Sequence, residues 1–207
     1  MYSYNPAGRV TAQHADYENK IHSFDAAYTW DNEGRMTGIN YGPQYTMTYD
    51  ANGRLGGMSG SDLSASASYG VAGEMTGLTY GGYNETRTYN AMLQVTRMTV
   101  PGMMDMQYVY AAGANNGRIT QSIDGIGGET VNYSYDKLNR LTAAGAANGT
   151  WGQAFTYDGF GNLTGKTATA GSPPTLSASF DPLTNRNGTG YDANGNTVGG
   201  YPGFTYT

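Results

Sequence analysis

The chain has no cysteine, which excludes disulfides and thiolate metal sites. A repetitive fold needs no disulfide, so the missing thiols leave the redox compartment open. Charge is scarce: only 13% of the 207 residues are Asp, Glu, Lys or Arg, and the net charge is −5. The few lysines and arginines never form a run. Binding to a phosphate backbone needs a basic patch, so nucleic acid is excluded as an expected partner. No apolar run is long enough to cross a bilayer as a helix, so no membrane span is expected. Met1-Tyr2-Ser3-Tyr4 lacks the basic and apolar regions of a signal peptide, so export would need another route or information upstream. Helical periodicity is missing over any useful length. So are a nucleophile elbow, a phosphate-binding glycine loop and a paired-histidine zinc motif.

What is present is repetition. Tyr49-Asp50-Ala51-Asn52-Gly53-Arg54-Leu55 is one copy of a pattern: aromatic, Asp or Asn, two variable residues, Gly, Arg, aliphatic, Thr. Copies start at Tyr4, Trp30, Tyr49, Tyr69, Tyr89, Tyr135, Tyr157 and Tyr191, with distorted ones at Tyr110 and Phe180. Most are about 20 residues apart, the mark of a repeat architecture. The chemistry of the pattern is that of a turn. Asp50 suits the first position of a type I turn, where its carboxylate accepts a backbone N–H two residues on. Gly53 supplies the left-handed residue that closes a bulged hairpin. The same pair recurs as Asp31 with Gly34, Asp136 with Asn139, Asp158 with Gly161 and Asp192 with Gly195. Gly8 and Gly73 stand at the same position, and all these glycines are expected at positive φ. In Asn90-Ala91-Met92-Leu93 the left-handed site falls on Leu93, which predicts the weakest hairpin or a different turn. Arg9, Arg35, Arg54 and Arg140 follow the left-handed residue and are expected to share one role, as exposed partners of neighbouring turn carboxylates.

On either side of each turn, residues alternate with a period of two. Tyr45, Met47 and Tyr49 alternate with Thr46 and Thr48, and Thr86 and Thr88 with Arg87 and Tyr89. Alternation with β-branched and aromatic residues reads as strand. One repeat is therefore strand, motif turn, strand, second turn. The expected fold is all-β: one array over 1–207, forming one continuous curved or spiralling antiparallel sheet. Ten repeats of two strands would span about 96 Å at the ordinary strand spacing. Residues 12–23 and 168–174 are expected to be irregular loops.

The heptapeptides at Tyr49, Tyr135 and Tyr157, with Tyr191-Asp192-Ala193-Asn194-Gly195-Asn196, resemble the Rhs, or YD-repeat, family. The resemblance covers nearly the whole chain outside residues 12–23. It implies a long antiparallel sheet that spirals into a hollow shell. In polymorphic and Tc-type toxins such a shell encloses a toxic C-terminal domain, and in teneurins it is part of an adhesion receptor; some repeats are linked to carbohydrate. A secreted or cell-surface location follows from the same resemblance. The sequence departs from the toxin-bearing members at Asp181-Pro182, which continues as Leu183-Thr184 without the Gly of their cleavage element.

Few residues suggest other chemistry. His14 and His22 lack companion ligands, and the Asp-x-Asn-Gly pieces at Asp50 and Asp192 lack the later ligands of a calcium loop. No metal, cofactor or catalytic residue is assigned. The tyrosines are expected to pack against Leu55, Leu141 and Leu163 on one strand face, and Met36, Met47, Met75 and Met98 to act as pliant filler. The expected function is a non-enzymatic wall, either part of a larger Rhs protein or a tube or filament made by head-to-tail pairing of copies through edge residues Tyr2, Tyr4, Phe204 and Tyr206. The alternative is a glycan- or cell-surface-binding adhesion module.

Overall fold

The computed structural model describes residues 1–17, 22–188 and 190–196, all-β and without a helix among them. The strands are β1 (Tyr2–Tyr4), β2 (Val10–Tyr17), β3 (His22–Trp30), β4 (Met36–Asn40), β5 (Gln44–Tyr49), β6 (Leu55–Gly60), β7 (Ser64–Tyr69), β8 (Met75–Tyr80), β9 (Tyr83–Tyr89), β10 (Val95–Val100), β11 (Met104–Tyr110), β12 (Ile119–Asp124), β13 (Glu129–Tyr135), β14 (Leu141–Ala146), β15 (Gly152–Tyr157), β16 (Leu163–Ala170) and β17 (Leu176–Ser177). They fall into two compact units, Met1–Gln107 and Tyr108–Thr207.

In the first unit β1 to β11 form an antiparallel meander in which every strand pairs with the next in sequence. In the second unit β12 to β17 do the same. Motif turns join β1 to β2, β3 to β4, β5 to β6, β7 to β8, β9 to β10, β13 to β14 and β15 to β16, so within each unit they line up along one end of the strands. The turns at the other end differ from one another. Tyr80 and Tyr83 close a two-residue turn with Gly81 and Gly82 both at positive φ, whereas Met103 N–H donates to Val100 O around Pro101-Gly102.

Each motif hairpin carries the same irregularity. Tyr49 pairs with Leu55, but Thr48 pairs with Gly57, so Gly56 is an extra residue, a β-bulge. By the same register the bulged residue is Thr11, Thr37, Thr76, Thr96, Thr142 and Thr164 in the other hairpins. The motif threonine is therefore the bulge. Its hydroxyl meets the hydroxyl residue that precedes the aromatic: Thr37 with Thr29 at 3.0 Å, Thr76 with Ser68 at 3.2 Å, Thr96 with Thr88 at 3.0 Å, Thr164 with Thr156 at 3.2 Å.

Alternation sorts the side chains onto two faces. Tyr45, Met47 and Tyr49 share one face with Met58 and Leu55, while Thr46 and Thr48 lie exposed on the other with Ser59. The sequence expectation of a packed tyrosine core needs correction. Only Ala26, Tyr45, Val131, Ala144, Ala146, Ser122 and Gly152 are buried among the described residues, and no large side chain is fully enclosed. A single sheet layer half-covers its side chains with their neighbours and has no second layer to complete the burial.

The two expected loops are also corrected. Residues 12–17 belong to β2 and 22–23 to β3, paired from Ala12 with Ala27 to Tyr17 with His22. The stretch looked unlike a strand because both alternating sets are small or polar. The charged set lies on the solvated face, where His14 meets Asp16 and Asp25. Residues 168–170 complete β16, with Ala168 opposite Gln153 and Ala170 opposite Gly152; the strand assignment ends there.

Candidate functional site

The row of motif turns concentrates the polar chemistry of the chain. In the turn after β5, Gly53 N–H donates to Asp50 O at 3.0 Å and Asp50 N–H to Arg54 O at 2.9 Å. Asp50 Oδ1 accepts the N–H groups of Asn52 and Arg54, both at 2.9 Å. Asp50 Oδ2 accepts Arg54 Nε at 2.7 Å. One carboxylate thus satisfies two turn amides and fixes the guanidinium. Asp136 treats Leu138, Arg140 N–H and Arg140 Nε in the same way. Asp158 and Asp192 bind Asn162 and Asn196 instead of arginine. In the turn after β3, Asp31 accepts Arg35 N–H and Nε.

The left-handed position is held by Gly34 (φ 91°), Gly53 (77°), Gly161 (91°), Gly195 (88°) and Asn139 (65°). Gly8 (77°) and Gly73 (90°) share it. Leu93 stands there at φ 59°, and its hairpin keeps the common turn, with Leu93 N–H bonded to Asn90 O at 3.0 Å. The weak residue is tolerated, not bypassed.

These contacts set the aspartate acidities. Asp50 and Asp136 are held below the ordinary carboxylate range, first by the arginine backbone N–H, then, against burial, by the guanidinium and a second turn amide. The side-chain amides of Asn162 and Asn196 do most to lower Asp158 and Asp192. Burial pushes Asp31 upward, but the backbone and side chain of Arg35 outweigh it and the net direction is down.

The arginines act differently from the sequence expectation. Arg54 and Arg140 reach their own turn's aspartate and then the next turn's backbone, Arg35 binds Asp31 and Glu33 of its own turn, and Arg9 and Arg118 also reach the next turn's backbone. Arg54 Nη1 donates to Gly70 O at 3.1 Å, Arg118 Nη1 to Asp136 O at 3.1 Å, Arg140 Nη1 to Asp158 O at 3.2 Å, and Arg9 Nη1 to Asp31 O at 3.3 Å. The same guanidinium lies over the aromatic ring of the next repeat. Arg35 covers Tyr49 at 4.7 Å, Arg54 covers Tyr69 at 4.6 Å, Arg118 covers Tyr135 at 5.3 Å and Arg140 covers Tyr157 at 4.8 Å. They are also less exposed than expected, at 32%, 27% and 30% for the Arg35, Arg54 and Arg140 side chains.

The aromatic completes the link in the reverse direction. Tyr49 hydroxyl donates to Met36 O at 2.6 Å, Tyr69 to Leu55 O at 2.9 Å and Tyr89 to Met75 O at 2.6 Å. In the second unit Tyr135 donates to Ile119 O at 2.9 Å and Tyr157 to Leu141 O at 2.8 Å. Trp30 uses its indole N–H on Val10 O at 2.8 Å. In these six repeats the motif aromatic bonds the backbone of the aliphatic residue one repeat earlier, whereas Tyr191 bonds Asn187 O within its own segment. Composition gave no sign of these carbonyl acceptors. The signal that was available is the conjunction of a phenol or indole donor with an arginine one motif before it.

Other expected residues fall outside this ladder. Tyr2 and Tyr4 lie on β1, more than half exposed, with rings 6.5 Å apart. Phe204 and Tyr206 lie outside the described residues. His14 bridges Asp25 (2.7 Å) and Asp16 (3.1 Å), and the Asp25 hydrogen bond leads the contacts that raise its pKa. No group of three metal-ligating side chains occurs among the described residues.

Residues 115–150, which contain the β13–β14 hairpin, match the family model described as RHS Repeat. This segment is similar to an RHS repeat. The other motif hairpins reproduce the turn and bulge of this matched hairpin. Solved structures show the same fold at low identity. The crystal structure of TcdB2-TccC3 aligns with a TM-score of 0.73 and 18% identity over 89% of this chain and 12% of that one. The TcdB2-TccC3-Cdc42 crystal structure gives 0.72 and 17% over the same shares. The Photorhabdus luminescens Tc holotoxin pore gives 0.73 and 17%, again over 89% and 12%. The chain thus spans about an eighth of the proteins whose RHS-like fold it shares. No curated protein matches its sequence.

Proposed function

We propose that this chain is a non-enzymatic wall segment of a hollow β-shell, acting outside the cell and extended strand by strand. The observation that carries the reading is the ladder. Arginine, aspartate and tyrosine of the motif bind the turn itself and the adjoining repeat, so the motif side chains serve the sheet and do not converge on a substrate. The fold shared with TcdB2-TccC3 supports the shell geometry.

The partner is then a strand that continues the ladder. The outer edge of β1 presents Tyr4, whose place in the motif calls for an arginine over its ring and a carbonyl for its hydroxyl. The remainder of a larger Rhs protein or a second copy paired head-to-tail supplies both. Sedimentation and negative-stain microscopy at micromolar concentration separate these two. Tubes or filaments support self-assembly; a monodisperse particle of the 22.0 kDa chain overturns it.

One observation favours the adhesion reading as well. Tyr2, Tyr28 and Trp30 line an open groove with Arg9, Gln13 and Val10, an aromatic and polar mixture suited to a sugar face. A glycan array tests this. Binding that is lost in Tyr28→Ala would support a carbohydrate ligand, and an array without binding would remove it.

A further inference from the structure

At the end of β4 and β5 away from the motif turns lies a tyrosine pair that the ladder does not use. Tyr45 is 8% exposed, the only buried aromatic side chain among the described residues. Tyr41, 42% exposed, stacks on it with ring centroids 5.7 Å apart and planes at 27°. Phe24 sits 6.3 Å from the Tyr41 ring. The Tyr45 hydroxyl donates to Asp62 Oδ1 at 2.8 Å.

We propose that Tyr41 and Tyr45 are an oxidative cross-linking site, joined as dityrosine by a peroxidase-type one-electron oxidant and hydrogen peroxide, which would close the Asn40–Gln44 turn covalently. A phenol becomes a strong acid when it loses an electron, so oxidation needs a proton acceptor in place. Asp62 is that acceptor for Tyr45, and solvent serves for the more exposed Tyr41. The Tyr41 hydroxyl, then Asp62 and burial, keep the resting Tyr45 phenol protonated far above the ordinary range, so simple deprotonation does not compete. Each ring gives up one electron and one proton. Together these reduce one hydrogen peroxide to two waters. The two phenoxyl radicals join through a carbon–carbon bond ortho to each oxygen. The ring hydrogens then move to the oxygens and restore both phenols, for a net loss of two hydrogens.

The setting makes the site selective. Tyr80 and Tyr83 face each other across their own turn and are more exposed, at 58% and 53%. Among the described residues neither hydroxyl has a carboxylate partner and the two rings do not stack. Tyr2 and Tyr4 are tilted at 41° on one strand. In a chain without cysteine, the Tyr41–Tyr45 pair supplies the oxidative staple that a disulfide cannot, at the strand ends that the arginine–tyrosine ladder leaves unlinked.

The test treats the whole chain with a haem peroxidase and limiting hydrogen peroxide, followed by trypsin digestion. Cleavage after Arg35 and Arg54 leaves one peptide that holds both tyrosines. The expected result is loss of two hydrogens in that peptide, fragmentation that places the bond between Tyr41 and Tyr45, and a rate independent of protein concentration. Tyr41→Phe should abolish the bond, and Asp62→Asn should slow it severalfold at an unchanged circular dichroism spectrum. Earlier coupling at Tyr80–Tyr83, coupling between chains, or a rate indifferent to Asp62→Asn would overturn the proposal.

Discussion

Arg140 shows how much one side chain of the motif does. Its backbone and Nε bind Asp136, its Nη1 binds Asp158 O, and its plane covers Tyr157. Lysine has one point charge and no planar fork, so Arg140→Lys keeps the charge and loses the geometry. Tyr157→Phe removes only the hydroxyl donor to Leu141 O, and Tyr135→Phe that to Ile119 O. Each is expected to cost about 1 kcal/mol in urea unfolding, the usual net value of a neutral hydrogen bond. Leu93 offers the opposite sign. Its left-handed backbone strains a side chain that is half exposed, so Leu93→Gly should raise stability by about 1 kcal/mol. At Gly53, φ 77°, valine should lower the melting temperature more than asparagine, because a β-branched residue reaches that region poorly. Equal melting temperatures for the two variants would contradict the turn assignment. At this scale the aspartate and left-handed residue were legible, because their chemistry is local to four residues. The arginine's partner was not: it lies one repeat away, and no local rule separates a carboxylate acceptor from a carbonyl.

The hairpin is the element that repeats, and its bulge was hidden in plain pattern. The sequence shows a Thr or Ser before the aromatic and a Thr after the aliphatic. Only the register shows that this threonine is itself the inserted residue, placed to meet the other hydroxyl. The β2–β3 hairpin was misread for a related reason, since charge on a strand looks like a loop until its cross-strand partner is known. The turn carboxylates also give the hairpins a shared pH response. Asp31, Asp50, Asp136, Asp158 and Asp192 all have depressed pKa values in the folded chain. A depressed folded pKa adds stability above the unfolded value and loses it as pH falls toward the folded one. Stability should therefore hold steady at neutral pH and drop below about pH 4, where unfolded carboxylates begin to take up protons. Urea midpoints from pH 7 to pH 2 check this. His14 works in the other direction, because its raised pKa adds stability that fades as pH rises through the folded value.

For the whole molecule, periodicity alone gave the all-β class, since period-two segments at regular turns leave few alternatives. It did not show that each unit is a single layer without an enclosed core. Such a layer gains little from burial, so the contacts between successive repeats carry more of its cohesion. The central claim is that arginine and tyrosine couple one RHS-type hairpin to the next. A double-mutant cycle on Arg140 and Tyr157 measures that coupling directly, with Arg140→Ala, Tyr157→Ala and the pair unfolded in urea. The account predicts that the double variant loses less than the sum of the singles, by about 0.5–1 kcal/mol for a surface cation–aromatic contact. Additive losses would show that the two repeats are merely adjacent and would contradict the ladder.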